Sequence, residues 1–457
     1  MIDNIKLANY KSFFADQVKE AIDEQQKINR SQMRNLFKTG ELSLAYVDSI
    51  QHETGMIILK CPRRMAPRLK VLKGVCIIKK GAKQALGEHV TEWICRWDEF
   101  VDNKDFHSSG SDMTPMYYVH TGDSNYDYVA CSGFSFKLYD ILSKALVDGK
   151  SLSLIVHNPF PPVEYFRNLA SYMDAFSSND ELNLEPTIDY EEWTPEELAF
   201  DEQKPTGISD TIIDTLANEH CCIVQGPPGT GKSYTIASVI SSYLDAGKTV
   251  CVTTMANKGL IELIKQKPLQ KYVKEGRVSK TNLSIDERKQ VSGVKAASAD
   301  LQVPGGEMLC ATNYQLSSVF SEKKMTLYGL PQYDLVVIEE ASQAFLTAIV
   351  AFKQLGIDCL IVGDPMQLPP IVKLNNPQYN SWNVATQVEG LKSMVLGTSI
   401  KSYRIVTTFR LTSRSASLTK YFYGNRFVSV KQDYLDFTKA NSVLFPQDGG
   451  VLYHCTL

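Results

Sequence analysis

The spacing of hydrophobic and polar residues divides the chain into regions of different structural type. Residues 8–38 contain no glycine or proline, which is typical of one or two helices. Residues 42–157 hold short runs rich in valine, isoleucine and aromatic residues between polar turns, and favour a small antiparallel sheet or barrel. A helical pattern at 163–176 and an acidic, linker-like stretch at 179–203 close this part.

From about residue 206 onward, continuous apolar runs alternate with helical patterns. Continuous runs are typical of strands that are buried on both faces, so we predict an α/β fold with a parallel, doubly wound sheet. The predicted strands are CCIV (221–224), KTVCVTT (248–254), MLCAT (308–312), YDLVVI (333–338) and CLIVG (359–363). Residues 268–306 are polar and irregular, and we interpret them as an insertion.

Composition excludes several classes of protein. The chain has 457 residues, a net charge of −3 and no apolar run long enough to span a bilayer. The start carries Asp3 and lacks an apolar segment, so we predict no signal peptide, no membrane partner and a cytoplasmic location. The ten cysteines form no CxxC pair, which argues against a zinc site and favours buried thiols. The near-neutral charge means that any nucleic-acid contact must be local.

The first candidate site is a glycine-rich loop between a predicted strand and a predicted helix. Glycines let backbone N–H groups face phosphates, and the helix that follows adds its positive end. A lysine in this pattern reaches the outer phosphates, and the hydroxyl after it ligates magnesium. The motif therefore predicts a site for a nucleotide with Mg²⁺. Its residues are Gly226, Pro227, Pro228, Gly229, Thr230, Gly231, Lys232 and Ser233.

Two further strands end in polar turns. Glu339 and Glu340 follow four buried-type aliphatic residues, and one carboxylate can hold magnesium while the other deprotonates an attacking water. The segment LIVGDPMQLPP places Asp364 and Gln367 after another strand. Because parallel strands end at one edge of a sheet, we expect all three motifs to converge there, with Gln367 sensing the γ-phosphate and Asp364 capping the turn or joining the active site.

Together, the three motifs resemble those of the superfamily 1 helicases, in the branch that contains the nonsense-mediated-decay RNA helicase and the Okazaki-fragment helicase-nuclease. GPPGTGKS resembles motif I, VVIEEASQA motif II and VGDPMQLPP motif III. Thr408–Leu411 with the following KYFY resembles motif IV, and TTMANKG and CATNYQ are weaker matches to motifs Ia and Ic. The resemblance covers about residues 205–430.

This resemblance implies a domain organisation. Residues 1–195 would hold the helical and barrel-like region that this branch inserts before motif I, with the acidic linker. Residues 196–395 would form a RecA-like ATPase domain, and residues 396–457 the beginning of a second, incomplete RecA-like domain.

The resemblance also implies roles for single residues. ATP and magnesium would be the cofactors, and single-stranded DNA or RNA the partner. Glu339 would be the carboxylate on the metal side and Glu340 the catalytic base, while Gln367 and Arg410 would contact the γ-phosphate. The resemblance also implies that Asn257 and Thr312 lie near the nucleic-acid strand.

The sequence departs from this family in three places. Glu339 stands where the family usually has aspartate, which changes the metal geometry. The glutamine that reads adenine before motif I is absent from residues 207–210, and Gln203 is out of register. No late helicase motif follows Val428, so we expect the chain to bind ATP, hydrolyse it slowly and not unwind duplexes, as a truncated form or with partner subunits.

Two functions stay open at this point. The first is an ATP-dependent motor that moves along a single strand. The second is an ATP-gated switch or scaffold that binds and releases nucleic acid without moving. A GTPase is disfavoured because Asn257-Lys258-Gly259-Leu260 lacks the aspartate of a guanine-reading motif, and a small-molecule kinase has no use for GDPMQLPP.

Overall fold

The computed structural model divides the chain into two compact units, which we treat separately. The P-loop unit comprises residues 1–16 and 164–457, and the β unit comprises residues 17–163. The structure describes residues 4–32, 34–35, 38, 43–53, 56–62, 71–72, 75–78, 114–119, 125–131, 143, 153–156, 163–176, 180–185, 193–283, 285–298, 300–321, 330–372 and 382–431.

The β unit contains an antiparallel sheet, as predicted. Its strands are β1 (Ser43–Gln51), β2 (Met56–Pro62), β3 (Val71–Leu72), β4 (Val75–Ile78), β5 (Thr114–Val119), β6 (Tyr126–Cys131) and β7 (Ser153–Val156). They follow the order β3-β5-β6-β2-β1-β7-β4. Along β2, Ile57, Leu59 and Cys61 are buried and alternate with half-buried residues, as period-two side-chain geometry requires. The predicted closure into a barrel stays a prediction.

The P-loop unit is built on a nine-stranded parallel sheet, which confirms the α/β, RecA-like fold class. Its strands are β8 (Glu196–Leu198), β9 (Cys221–Gln225), β10 (Val250–Thr254), β11 (Val278–Lys280), β12 (Lys295–Ala296), β13 (Met308–Thr312), β14 (Tyr333–Ile338), β15 (Gly356–Gly363) and β16 (Ser402–Ile405). Their order is β12-β11-β13-β10-β14-β15-β9-β16-β8. The glycine-rich loop follows β9, the paired glutamates follow β14, and β15 lies between these two strands.

The chain also contains helices. They are α1 (Asn4–Arg30), α2 (Glu164–Ala175), α3 (Gly207–Glu219), α4 (Lys232–Asp245), α5 (Asn257–Ile264), α6 (Gln270–Lys274), α7 (Ile285–Gln290), α8 (Asn313–Leu316), α9 (Leu346–Lys353), α10 (Trp382–Val388), α11 (Gly390–Gly397) and α12 (Ser413–Tyr423). In the part of the chain that the structure describes, no helix combines the length and apolar character needed to cross a membrane. The cytoplasmic location stays a prediction.

Both faces of the parallel sheet are buried, in two separate apolar cores. In β14, Val336 and Ile338 point to one core, while Leu335 and Val337 point to the other. Burial on both faces explains why these strands appear in the sequence as unbroken apolar runs. Cys61, Cys221, Cys222, Cys251, Cys310 and Cys359 are buried and free.

The predicted insertion at 268–306 is instead part of the sheet. It supplies the edge strands β11 and β12, which extend the sheet beyond β13. The polar residue Lys280 on β11 is fully buried because it pairs with Glu287 at 3.5 Å and donates to Asn257 Oδ1 at 2.7 Å. Partnered charges tolerate burial, so the polarity of the segment does not exclude a strand.

The boundary at residue 195 also needs correction. Residues 4–16 of α1 belong to the P-loop unit, where Phe13 and Phe14 make edge-on ring contacts with Phe345 at 5.9 and 5.5 Å. The stretch interpreted as an acidic linker contributes the buried Leu182 and Leu184 and the edge strand β8. Its apolar residues pack on the P-loop unit, so its net acidity does not make it a free linker; residues 186–192 lie outside the described part.

The region expected to begin a second RecA-like domain, residues 396–457, includes a strand of the main sheet. Ser402–Ile405 is β16, which pairs with β9 and β8 inside the main sheet. A separate two-stranded parallel sheet follows, with β17 (Thr407–Thr412) and β18 (Val428–Lys431) joined by α12. We propose that this strand–helix–strand unit is the described part of a second RecA-like domain.

Candidate nucleotide-binding site

The candidate site lies at the carboxyl edge of the parallel sheet. The strands β9, β10, β14 and β15 run in one direction, so the residues that follow them meet at the same edge. A cavity of about 770 Å³ opens there. Its lining includes the glycine-rich loop from Pro228 to Ser233 together with Glu339, Glu340, Asp364, Gln367 and Arg410. Three motifs and Arg410, widely separated in the sequence, therefore share one cavity.

The glycine-rich loop has the backbone that its sequence demands. Gly229 and Gly231 adopt φ values of 79° and 78°, in the left-handed region that favours glycine. Lys232 folds back over the loop and donates to the carbonyl oxygens of Gly226 and Pro227. Burial lowers the pKa of Lys232, while Asp364 and Glu339 act in the opposite direction. The ammonium group of Lys232 is thus held against the backbone carbonyls at the start of the loop.

Ser233 and Glu339 form a ready pair of oxygen ligands. Ser233 Oγ donates to Glu339 Oε1 at 3.0 Å, and Glu339 is buried with its Oε2 atom without a hydrogen-bond partner in the described structure. Burial, partly offset by Ser233, raises the pKa of Glu339 to about 7. A hard cation such as Mg²⁺ prefers oxygen ligands and would satisfy the orphaned Oε2 atom, so the residues fit the ion. The longer glutamate still reaches Ser233.

Glu340 differs from its neighbour in backbone and environment. Its φ and ψ of 54° and 39° place it in the left-handed region, which is uncommon for a residue with a side chain. Such strain persists where surrounding structure imposes it, and it occurs often at functional sites. Thr254 Oγ1, at the end of β10, donates to Glu340 Oε2 at 3.3 Å. Glu340 is half-buried, whereas Glu339 is buried, so only Glu340 has ready access to water.

Asp364 connects motif III to the segment after the main sheet. It accepts hydrogen bonds from the backbone of Met366 at 3.1 Å, from Gln367 Nε2 at 3.3 Å and from Tyr423 OH at 2.9 Å. Burial raises the pKa of this carboxyl, and these donors oppose the rise. Asp364 thus caps its own turn, as the sequence suggests, and also holds the end of α12.

The strand β17 is seated directly on the glycine-rich loop. The N–H of Phe409 donates to the carbonyl of Gly229 at 2.8 Å, and Thr408 Oγ1 donates to the carbonyl of Pro228 at 3.4 Å. Arg410 follows on the same strand and lines the cavity. Arg410 and Lys232 line the same cavity, and the charge of Arg410 helps to lower the pKa of Lys232. Two clustered cations are suited to a polyphosphate.

Gly229→Ala is expected to separate β17 from the loop. A β-carbon at Gly229 would lie 2.3 Å from Arg410 Cβ and 3.3 Å from Arg410 Cα, at a φ of +79°. Overpacking costs about 1–3 kcal/mol and left-handed backbone about 1–2 kcal/mol, so ATP affinity should fall by tenfold or more. Gly247→Ala is the matched control, since its φ is +74° and nothing lies within 4 Å of the added carbon. Equal ATP affinities of the two variants, measured by calorimetry, would contradict this account.

The cavity also has lining residues outside motifs I to III. They are Phe200, Pro205, Ile208, Tyr234, Gln266 and Phe409, of which Phe409 lies in the segment that resembles motif IV. The Phe200 and Phe409 rings meet edge-on at 4.9 Å, and the N–H of Phe200 donates to Thr407 Oγ1 at 3.0 Å. The two rings are far apart in the sequence, so no spacing could identify them as a pair. Because Phe409 also bonds to the glycine-rich loop, this pair forms an apolar wall beside the loop that suits a nucleobase.

The two residues expected near nucleic acid lie outside this cavity. Asn257 begins α5 at an exposed position, and its Oδ1 accepts from Lys280. Thr312 is buried, and its side chain accepts from the backbone of Gln315 in a capping box at the start of α8. Thr312 therefore has a structural task, and the exposed residue of this segment is Tyr314.

Comparisons with known proteins agree with the motifs. A family model described as an AAA domain matches residues 209–373. The DNA replication ATP-dependent helicase/nuclease dna2 of Schizosaccharomyces pombe is 31% identical over 209 residues, which cover 43% of this chain and 14% of that protein. The DNA2 protein of Saccharomyces cerevisiae is 26% identical over 207 residues, which cover 42% of this chain and 12% of that protein. The chain thus spans about one seventh of the length of these relatives.

A solved structure of the PRRSV helicase aligns at 10% identity and a TM-score of 0.28, over 50% of this chain and 38% of that one. A likeness at this level supports no detailed comparison. The motif set, the parallel sheet and the curated relatives together support a likeness to the superfamily 1 helicases, in the branch of the DNA replication helicase/nucleases.

Proposed function

We propose that this chain is the ATPase core of a motor that hydrolyses ATP to move along a single nucleic-acid strand. The observation that carries the proposal is the shared cavity, where Lys232, the Ser233–Glu339 pair, Glu340 and Arg410 meet. A structural P-loop without catalysis would have no need for a second carboxylate beside the first. Because the similar proteins act in DNA replication, single-stranded DNA should be tested first, and single-stranded RNA should be tested in parallel.

In this mechanism Lys232 and the loop N–H groups bind the phosphates. Ser233 and Glu339 would hold Mg²⁺, which neutralises charge on the β- and γ-phosphates when it is bound. Glu339 must lose its proton to do so, and its raised pKa means that metal binding competes with a proton near neutral pH. The positive end of α4 adds to the attraction for phosphate.

Glu340 is proposed as the general base. Its carboxylate is held by Thr254 at 3.3 Å, and its half-buried position gives access to a water molecule. A positioned base contributes about 10²–10⁴-fold to a rate of this kind. Gln367 is exposed at the cavity and bonded to Asp364, from where it can respond to the state of the γ-phosphate.

Movement requires that the nucleotide alter the position of one element relative to another. The strand β17 and the helix α12 contact the site through Phe409, Arg410 and Tyr423. Because β17 bonds to Gly229 and α12 bonds to Asp364, a change in the loop or in motif III displaces the strand–helix–strand unit. We propose that this link converts ATP binding and hydrolysis into motion of the second domain.

A streptavidin-displacement assay tests movement itself. A motor with ATP will remove streptavidin from a 3′- or 5′-biotinylated DNA or RNA oligonucleotide, and the end that is cleared gives the direction. Lys232→Ala is the control, since loss of a charge-assisted phosphate contact should abolish displacement. Nucleic-acid binding and ATP-dependent release without displacement would support the switch, and would contradict the motor.

A further inference from the structure

The apolar wall of the nucleotide cavity offers a base a surface without a pattern of polar groups. Phe409 is 36% exposed, and its ring edge lies 3.4 Å from the position that a β-carbon on Gly231 would take. Phe200 supports this ring edge-on, at an interplanar angle of 77°. Every base has a flat π-face, so contact with an aromatic ring holds a base without identifying it.

The amide side chains of the cavity are already engaged with the protein. An amide presents one donor and one acceptor, which is the combination that identifies adenine. Among the described residues that line the cavity, amides occur at Gln266 and Gln367. Gln266 Nε2 donates to the carbonyl oxygen of Glu262 at 3.0 Å, and Gln367 Nε2 donates to Asp364 Oδ2 at 3.3 Å. Each amide is thus tied to its own segment of the chain.

The start of α3 supplies a hydroxyl to the cavity. Ser209 lies in the first turn of α3, lines the cavity, and donates from Oγ to the carbonyl oxygen of Thr206 at 2.8 Å. A hydroxyl both donates and accepts and rotates to suit its partner, so it does not distinguish an amino group from a carbonyl group. Gln203, just before this helix, is exposed and is not one of the described residues that line the cavity.

We propose that this site selects its ligand by the triphosphate and not by the base, so that ATP, GTP, CTP and UTP are alternative substrates. The inference rests on the proposed function and widens its substrate class to nucleoside triphosphates with Mg²⁺. Lys232 and Arg410 would bind phosphate oxygens, which all four nucleotides share. A site built to hydrogen-bond one ligand rejects others by about 10⁴-fold or more, whereas an apolar wall discriminates weakly.

The reaction is the same for each substrate. Water attacks the γ-phosphorus while Glu340 takes its proton, and the bond from that phosphorus to the β–γ bridging oxygen breaks. The products are the nucleoside diphosphate and inorganic phosphate. No atom of the base takes part, so the identity of the base affects binding alone.

A comparison of ATP with GTP is the sharpest test, because the two purines stack alike and carry opposite groups at position 6, an amino donor in adenine and a carbonyl acceptor in guanine. Each nucleotide is titrated with Mg²⁺ against a ribose-labelled fluorescent ATP analogue bound to the purified chain. The Kd values for ATP and GTP should differ by less than about tenfold. A larger preference for either purine would overturn the inference and leave the motor standing. If ATP itself does not bind, the proposed function fails as well.

Phe409→Leu tests whether the base lies on the apolar wall. It keeps the backbone bond to Gly229 and should weaken ATP and GTP by the same factor, about 5- to 50-fold, while inorganic tripolyphosphate stays within about twofold. Phe422→Leu, an exposed phenylalanine of α12 outside the cavity lining, is the matched control and should bind all three like the wild type. Weakening of ATP alone, or of neither nucleotide, would overturn the inference.

Turnover shows whether one site serves all substrates. Lys232→Ala should abolish the hydrolysis of GTP together with that of ATP, since both would depend on the same phosphate contact. GTP hydrolysis that survives in Lys232→Ala would come from a different site or a contaminating enzyme, and would overturn the inference.

Discussion

Glu340→Gln will lower the rate of ATP hydrolysis by about 10²–10⁴-fold while the protein still binds ATP, if Glu340 is the general base. The amide fills the same space and can still accept the hydrogen bond from Thr254, so the shape of the cavity is kept. Only the capacity to take a proton is lost. Single-turnover hydrolysis measured by rapid quench, together with the affinity for a fluorescent ATP analogue, separates the chemical step from binding.

Glu339→Gln is the matched control for this experiment. Glu339 accepts from Ser233 and is buried, so its replacement should weaken magnesium-dependent ATP binding more than it slows the chemical step at saturating magnesium. A weaker response to magnesium in this variant, and an unchanged one in Glu340→Gln, would support the division of roles. If Glu339→Gln shows the hydrolysis defect and Glu340→Gln does not, the two assignments are reversed.

Arg410→Ala is expected to have an effect of similar or greater size. An arginine that stabilises charge on the transferred phosphoryl group contributes about 10³–10⁵-fold to the rate. Alanine keeps the β-carbon, so the close packing of β17 against Gly229 survives and only the guanidinium is removed. The measurement is kcat at saturating ATP, with ATP affinity measured in parallel and expected to change far less than kcat.

Two variants check the meaning of the Arg410 result. Arg410→Lys keeps the charge and loses the planar, bidentate geometry, so it should recover only part of the rate. Arg414→Ala removes an exposed arginine from the first turn of α12 and should leave kcat within a few fold. A kcat for Arg410→Ala equal to that of Arg414→Ala would show that Arg410 lines the cavity without taking part in catalysis.

The sequence predicted the central strands of the sheet and the meeting of motifs I to III at one edge for one physical reason. Strands that are buried on both faces have unbroken apolar runs, and parallel strands deliver the residues after them to a single edge. For glycine-rich loops and paired carboxylates at such positions, the residue types and their spacing are enough to predict the chemistry. Motifs I to III could therefore be placed together from the sequence alone, whereas Arg410, on β17 outside the main sheet, was placed only by the resemblance to motif IV.

The edges of the sheet could not be predicted in the same way. β11 contains the buried Lys280, whose burial depends on Glu287 and Asn257, and pairing of that kind leaves no local pattern. β16 and β17 are separated by a single residue, Val406, yet they belong to different sheets. In the cavity, the ring contact between Phe200 and Phe409 joins residues more than two hundred positions apart and likewise leaves no local signal in the sequence.

The most direct test of the proposed motor is steady-state ATP hydrolysis by the purified chain with single-stranded DNA, with single-stranded RNA and with neither. The account predicts magnesium-dependent turnover that rises when a single strand is added and is absent in Lys232→Ala under all three conditions. Turnover that persists in Lys232→Ala would refute the nucleotide site. Turnover that is lost in Lys232→Ala but does not respond to either nucleic acid would contradict the motor.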